Sequence, residues 1–160
     1  MINAVLQSPY SMGWGQSFGR NLLADWTLSP IVTWGSGRPF TVLTGFDLNG
    51  DTHEETDRPV LKNGSTAGRN TGQGPAFFTT NLRLSRRFNL PREETSFEFI
   101  FEAFNLFNNV NYSGINSVIG TLELDSAVVQ GSADIAANRP LGFTSAFDPR
   151  QIQFGFRLNF

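Results

Sequence analysis

The end of the chain alternates between apolar and polar residues without a break. Across residues 151–160 every second side chain is apolar, at Ile152, Phe154, Phe156, Leu158 and Phe160. Successive side chains of a β-strand point to opposite faces, so this segment is predicted to be a strand with one apolar and one polar face. Its length also fits a tilted strand that crosses a membrane, which takes about ten residues.

Three earlier segments are predicted to be strands for the same reason. Within residues 95–105 the apolar face carries Phe97, Phe99, Phe101 and Ala103, and the other face carries Glu98, Ile100, Glu102 and Phe104. Within residues 79–89 the two sets are Leu82, Leu84 and Phe88 against Asn81, Arg83, Ser85 and Arg87. Residues 25–34 place Trp26, Leu28, Val32 and Trp34 on one face.

Pro30 interrupts this earliest segment, and it predicts a bulge or a weakened ladder because proline has no backbone N–H. The strand is expected to resume over residues 40–43, and residues 2–8 are expected to end a preceding strand.

The connections between these strands differ greatly in length. Residues 90–94 form a short polar turn, whereas residues 45–76 and 108–149 are long and rich in Gly, Asn, Asp, Thr and Ser. Long structureless loops count against a compact soluble domain. Transmembrane barrels combine short periplasmic turns with long extracellular loops. If the last strand ends in the periplasm, both long connections are outside and the short turn is inside.

The predicted fold is therefore all-β, an antiparallel meander of four or five strands that forms part of a transmembrane β-barrel. Its lipid side would carry Phe97, Phe99, Phe101, Phe154, Phe156 and Leu158. Mid-strand charges suit a water-filled lumen, where opposite charges on neighbouring strands pair: Arg83, Glu98, Glu102 and Arg157. The alternative is an ordinary half-buried sheet with one solvated face. Trp26 and Trp34 suit either interfacial girdles or a core.

Composition removes several classes of function. A formal net charge of -2 gives no reason to expect a nucleic-acid partner. The absence of cysteine excludes disulfides and thiolate chemistry within the chain. No stretch approaches the roughly 18 to 20 apolar residues of a transmembrane helix, and residues 1–10 lack the features of a signal peptide. An exported protein of this kind would have to be longer than these residues.

Catalytic motifs are weak. His53 is the single histidine, and it lies in an acidic loop without a nearby serine-nucleophile motif. Glu98 and Glu102 share a strand face and resemble a glycosidase carboxylate pair, but a polar lumen explains them more simply. Residues 72–75 lack the Lys-Ser/Thr of a phosphate-binding loop. We therefore expect that the chain is not an enzyme.

The acidic loop around residues 47–57 is the best candidate for a metal site. Four side chains offer hard oxygen atoms that suit calcium: Asp47, Asn49, Asp51 and Asp57. The spacing fails as an EF-hand, because glycine occupies the fourth rather than the sixth position and Arg58 stands at the twelfth. The alternative is a turn held by Asx side chains, and no other cofactor is expected.

An ordered set of short phrases resembles one family. They are WTLS (26–29), IVTW (31–34), SGRPFTV (36–42), DLNGD (47–51), DRP (57–59), GRN (68–70), NLRLS (81–85), EAFNLFN (102–108) and DPRQIQFG (148–155). Together they resemble the C-terminal barrel of TonB-dependent receptors, particularly the Oar-like group. The plug, the TonB box and the N-terminal domain of that family have no counterpart here. Five strands also cannot close a barrel, which needs about eight. The chain is then one part, residues 1–160, of a longer receptor.

The resemblance implies a location in the outer membrane of a Gram-negative bacterium and a role in the wall and outer loops of an importer. The implied partners are outer-membrane lipid, the rest of the barrel and its plug, the TonB system and the barrel-assembly machinery. On its own the chain is not expected to transport. The rival hypothesis is a soluble or surface β-sheet module that binds a ligand.

The resemblance also implies that the last strand carries an assembly signal. Outer-membrane proteins of this kind offer a C-terminal strand to the barrel-assembly machinery. The side chains recognised here would be Phe154, Phe156, Leu158 and Phe160. In the simpler alternative, Phe160 is only the last apolar residue of an ordinary strand.

Overall fold

A computed structural model describes residues 1–11, 13, 17–90, 95–125 and 129–160. Within these residues there is one helix, α1 (Phe18–Leu23), together with strands that are numbered in chain order. The strands are β1 (Ile2–Asn3), β2 (Leu6–Gln7), β3 (Trp26–Gly35), β4 (Pro39–Phe40), β5 (Val60–Leu61), β6 (Gly72–Gln73), β7 (Phe77–Asn89), β8 (Ser96–Phe104), β9 (Tyr112–Ile115), β10 (Glu123–Leu124), β11 (Val129–Gln130), β12 (Phe143–Ala146) and β13 (Gln151–Asn159).

The main sheet confirms the predicted all-β meander. Its strands lie in the order β1-β3-β7-β8-β13, and β2 also pairs with β3. Strand β8 runs antiparallel to both β7 and β13. The N–H of Arg87, near the end of β7, donates to the carbonyl of Asp25, just before β3 (3.1 Å). Each of the four alternating segments is thus a strand, and each long strand neighbours the next along the chain.

Pro30 weakens the ladder without producing a bulge. Strand β3 runs through it, and the register between β3 and the first residues of the chain is the same before and after it. The partner, however, is split into β1 and β2, with the gap opposite Pro30. The N–H of Ala4 still donates to the carbonyl of Pro30 at 3.2 Å, but proline has no N–H to donate in return, so the ladder is weaker at that point. Residues 2–7 are otherwise the earlier strand that the sequence predicted.

The short turn between β7 and β8 is only partly described. Most of the predicted turn at 90–94 lies outside the described residues, which omit 91–94. Its two flanks meet, because the N–H of Leu90 donates to the carbonyl of Thr95 at 3.0 Å.

One side of the main sheet, here called the aromatic face, carries the predicted phenylalanines. Phe99 pairs with Phe156, and Phe101 pairs with both Phe154 and Leu84. The rings of Phe97 and Phe156 stack with centroids 5.6 Å apart, and those of Phe101 and Phe154 lie 5.5 Å apart. Such ring contacts stabilise a sheet beyond the area they bury. The alternation therefore assigns the faces correctly.

The aromatic face is open in this structure. Phe154 and Phe156 keep 65% and 68% of their surface exposed. Among the described residues, the buried apolar set is small and contains no aromatic side chain: Ala24, Val42, Ala67, Ala103 and Ile119. A soluble sandwich would cover its apolar face with a second sheet, about 10 Å away. A large exposed apolar surface instead marks a membrane or protein contact.

The chain divides into two compact units. The first contains residues 1–34, 78–109 and 148–160, which include the long strands of the main sheet. The second contains residues 35–77 and 110–147, which correspond to the two long connections. Among the described residues, no helix is long and apolar enough to cross a membrane.

The expectation of structureless connections is wrong. Within the second unit the two connections pair with each other, through β5 with β10 and β6 with β11, both parallel. Strand β4 pairs with β6, so residues 39–40 belong to this unit and do not resume β3 as expected. Strands β9 and β12 form an antiparallel pair. Short backbone ladders therefore satisfy polar groups that no periodic sequence pattern announces.

Candidate functional site

The polar face of the main sheet carries alternating charges across its strands. In register, Glu98 lies between Arg87 and Arg157, and Glu102 lies between Arg83 and Gln153. Arg157 and Glu98 form an ion pair at 3.4 Å, as do Arg83 and Glu102. At least one partner of each pair is well exposed to solvent, so each pair contributes about 1 kcal/mol or less. Paired charges on the face opposite the phenylalanines are compatible with a polar, water-filled lumen.

The two glutamates therefore have arginine partners. His53 is exposed and lies 4.0 Å from Glu55. The absence of enzymatic activity stays a prediction.

The four residues of the predicted assembly signal belong to the last strand and its end. Phe154, Phe156 and Leu158 pair in register with Phe101, Phe99 and Phe97. Phe160 follows the last paired residue, Asn159, and is 97% exposed. Within the described residues β13 is the terminal strand of the sheet order, with β8 on one side. The last strand thus combines an apolar face with an edge that is open within the described residues. Its recognition by the barrel-assembly machinery stays a prediction.

The acidic loop is held together by its own side chains. One carboxylate oxygen of Asp47 accepts the N–H of Gly50 at 2.7 Å, and the other accepts the N–H of Thr52 at 2.8 Å. Asp51 accepts the N–H of His53 at 2.9 Å. Asp57 reaches back to accept the backbone N–H of Leu48. The bond between Asp51 and His53 is that of an Asx turn, and the other bonds fix the loop over longer separations in sequence.

The backbone hydrogen bond from Thr52 is the main reason that the pKa of Asp47 lies below its usual value of 3.8. Desolvation opposes this shift, and the backbone hydrogen bonds from Gly50, Asp51 and Asn49 add to it. The same hydrogen bonds fix a strained backbone, because Thr52 has φ +70° and a β-branched residue rarely adopts such an angle.

The four predicted calcium ligands thus lie in one loop. Asn49 donates to Asp51 at 3.0 Å and to Asp57 at 3.2 Å through its side-chain amide. Among the residues that the structure describes, no group of three or more His, Cys, Asp or Glu is arranged to hold a metal ion. Calcium binding by Asp47, Asn49, Asp51 and Asp57 stays a prediction, and the hydrogen bonds account for the conformation of the loop without it.

A cavity of about 770 Å³ lies beside this loop in the second unit. Its lining is mixed and includes Thr41, Leu48, Asp57, Arg58 and Arg69. Arg58 donates to the carbonyl of Ala67 at 2.7 Å, which ties one wall to the residues after β5. A volume of this size is typical of ligand pockets.

An ion pair joins the two long connections. Nζ of Lys62 lies 2.7 Å from a carboxylate oxygen of Asp125, and this hydrogen bond and charge raise the pKa of Lys62 above 10.5. Both side chains are exposed, so the pair adds little to stability and mainly favours this contact between the two connections.

Sequence reasoning missed two features, α1 and the position of Arg86. Arg86 follows the even-numbered period of Leu84 and Phe88, which places it on the aromatic face. Its guanidinium lies 5.2 Å from the ring centroid of Trp26 and 4.8 Å from that of Phe88. It also donates to the carbonyl of Asn21 in α1, while its Nε is buried without a hydrogen-bond partner. The sequence feature that could have predicted this is a charged residue, Arg86, at a position where the alternation calls for an apolar one.

Comparison with known proteins gives one result. A family model described as an outer membrane beta barrel domain matches residues 61–153, more than half of the chain. No curated protein and no solved structure matches the chain significantly.

Proposed function

Because the chain belongs to the family of outer membrane beta barrel domains, we propose that it forms part of the wall and the extracellular loops of a TonB-dependent receptor of the Oar-like group. The observation that carries this proposal is a single-layer sheet with one exposed aromatic face and one charged face. In a barrel wall the first face contacts lipid and the second lines the lumen.

The connections support the same role. Two long segments fold together into a unit rich in turns, while β7 and β8 are joined by a short turn. Long connections at one end and a short one at the other are typical of barrels that present loops outside the cell. The ordered phrases of the sequence add the finer family, the Oar-like receptors, whose host is a Gram-negative bacterium.

In this role the chain does not transport alone and catalyses no reaction. Uptake requires the remaining strands to close the barrel, and a plug through which the TonB system acts. The cavity of the second unit, with Arg58 and Arg69 in its wall, favours a contribution to ligand capture. The rival function, a soluble or surface β-sheet module, would use the same cavity without a membrane.

Cysteine labelling tests the proposal directly, because the chain has no cysteine of its own. Ser65→Cys lies in an outer connection, and Ser17→Cys lies before α1 at the opposite end of β3. In cells that express the full-length receptor with any other cysteine removed, a membrane-impermeant maleimide should label the first variant at once. It should label the second only after the outer membrane is permeabilised. Equal labelling of both in intact cells, or recovery in the soluble fraction, would favour the rival.

A further inference from the structure

An apolar groove lies on the aromatic face beside α1. Its volume is about 520 Å³, and its apolar walls come from Leu6, Tyr10, Leu23, Trp26, Leu28 and Leu84. Pairing fixes the face: Leu6 is opposite Leu28 on β3, and Leu84 is opposite Phe101 on β8. The groove is therefore continuous with the exposed phenylalanine surface rather than with the charged one.

Helix α1 extends this apolar surface. It has only six residues, too few to be stable alone. The indole N–H of Trp26 donates to the carbonyl of Leu22 at 2.8 Å, and the hydroxyl of Ser8 donates to that of Leu23. The outward side chains of the helix are nevertheless apolar, with Phe18 84% exposed and Leu22 51% exposed. Exposure of these apolar side chains is unfavourable in water, whereas contact with a lipid surface would bury them.

Two arginines stand at the edge of the groove. Arg86 is held between the rings of Trp26 and Phe88, and Arg20 lies over the ring of Tyr10 at 5.4 Å. Trp26 and Tyr10 also line the groove itself. Asp25 is the acidic residue of this neighbourhood, so the two arginines leave a net positive charge. Cations beside an apolar groove complement a molecule with an anionic head and an apolar tail.

The groove lies toward the end of the sheet that the short turn occupies. Arg87, shortly before that turn, bonds to Asp25, just after α1. If the chain forms a barrel wall as proposed above, this end is periplasmic. Aromatic and basic residues at such a position are typical of a membrane interface.

We propose that this groove binds one phospholipid of the inner leaflet, with an acyl chain between Leu6, Leu28 and Leu84 and the phosphate at Arg86 and Arg20. Guanidinium groups bind phosphate through charge-assisted hydrogen bonds, and here Arg20 is exposed and Arg86 is half-buried at the edge of the groove. Helix α1 then acts as a small interfacial anchor that the bound lipid holds against the sheet. This inference rests on the proposed function, because it requires the aromatic face to be in lipid.

Native mass spectrometry of the full-length receptor tests the inference. The receptor is delipidated in a mild detergent and titrated with phosphatidylglycerol, and lipid-bound receptor is counted. Replacing one arginine, by Arg86→Gln or Arg20→Gln, should weaken binding about tenfold, because each removes a charge-assisted contact. The matched control is Arg87→Gln, one residue away on the charged face, which should bind as the wild type does.

A variant that keeps both charges guards against misfolding as an explanation. Leu6→Trp fills the groove, and it should lose bound lipid while its receptor still inserts. Unchanged binding in Arg20→Gln and Leu6→Trp, or an equal loss in Arg87→Gln, would overturn the inference. The inference would also be overturned if the wild-type receptor bound no lipid because another of its segments fills the groove. Labelling of Ser17→Cys and Ser65→Cys separates the two proposals: a normal pattern without lipid binding refutes the groove alone.

Discussion

Arg86 is the charged side chain of the main sheet that lies among aromatic rings. A charge placed in hydrocarbon costs several kcal/mol unless it reaches polar partners, so its surroundings must compensate. Here the carbonyl of Asn21 accepts its hydrogen bond, and the rings of Trp26 and Phe88 lie against its guanidinium. Such cation–π contacts contribute about 0.5 to 2 kcal/mol. This one residue therefore depends on α1, which in turn depends on the strands.

Phe156 tests the environment of the aromatic face. Phe156→Arg should destabilise the full-length receptor in lipid vesicles by about 2 to 4 kcal/mol, because a charge near mid-membrane loses its hydration. The free energy of unfolding in a denaturant titration measures this cost. The control is Gln153→Arg on the opposite face, where Glu102 is the register neighbour and little change is expected. A cost below about 0.5 kcal/mol for Phe156→Arg would show that this face is not in lipid.

Asp47 makes the acidic loop sensitive to low pH. Its pKa is lowered in the folded state, so its contribution to loop stability is fully present above the usual value of 3.8. That contribution is lost as the pH falls through the lower, folded pKa. The amide proton shift of Thr52, which donates to Asp47, should report this with a midpoint below 3.8. Asp47→Asn should abolish the transition, and a midpoint at or above 3.8 would contradict the assignment.

The same loop allows a test of calcium. Calorimetry of the receptor with millimolar calcium should show no heat if the loop is an Asx-turn structure. Heat that Asp57→Asn removes would instead establish calcium, with oxygens at about 2.3 to 2.6 Å.

At the level of elements, β13 combines an apolar face with an open edge. It pairs with β8 along its whole length, and within the described part of the chain its other edge has no strand beside it. Backbone groups at a lipid-exposed edge cannot stay unpaired in hydrocarbon. In the proposed barrel this strand would therefore pair with a further strand, and we expect its open edge to serve as a template for strand addition.

Deletion of Phe160 separates assembly from stability. The residue lies beyond the last paired position, so its loss should change intrinsic stability little. It should nevertheless lower the amount of receptor inserted in the outer membrane, measured by surface labelling at native expression. Phe160→Tyr keeps an aromatic ring and should insert normally. Wild-type surface levels of the deletion variant would leave Phe160 with a wall role only.

For the whole molecule, the two long connections form one compact unit. Leu43 donates to the carbonyl of Ser117 and accepts from Ile119, and Val60 donates to the carbonyl of Leu122. Val42, next to Leu43, is fully buried. Each connection therefore supplies backbone partners that the other lacks.

Removing part of the second connection should loosen the first. Asn116 donates to the carbonyl of Gly142 at 2.9 Å, so residues 117–141 can be replaced by two glycines without moving the ends. Trypsin added to intact cells should then cut at Arg58, Lys62 and Arg69 about tenfold faster, because the open state is more populated. The quantity of inserted receptor serves as the control and should not change. Equal cutting rates would mean that the first connection folds independently.

The sequence by itself determined the strands and their faces. Alternation with a period of two is local, so residues 79–89, 95–105 and 151–160 specify both extended backbone and the side on which each phenylalanine lies. It also indicated that Glu98 and Arg157 could pair, since both occupy the polar face. The oxygen-rich loop could also be predicted from the sequence, because its acidic and amide side chains lie within eleven consecutive residues, 47–57.

Only the tertiary structure decided how distant segments meet. The parallel pairing of β5 with β10 joins residues about sixty positions apart, and two-residue strands carry no periodic signal that could predict it. Helix α1 could not be predicted from its own six residues either, since the hydrogen bonds that hold it come from Ser8, Trp26 and Arg86. Local patterns fix what a segment becomes on its own, whereas the closure of long loops depends on partners that no local pattern contains.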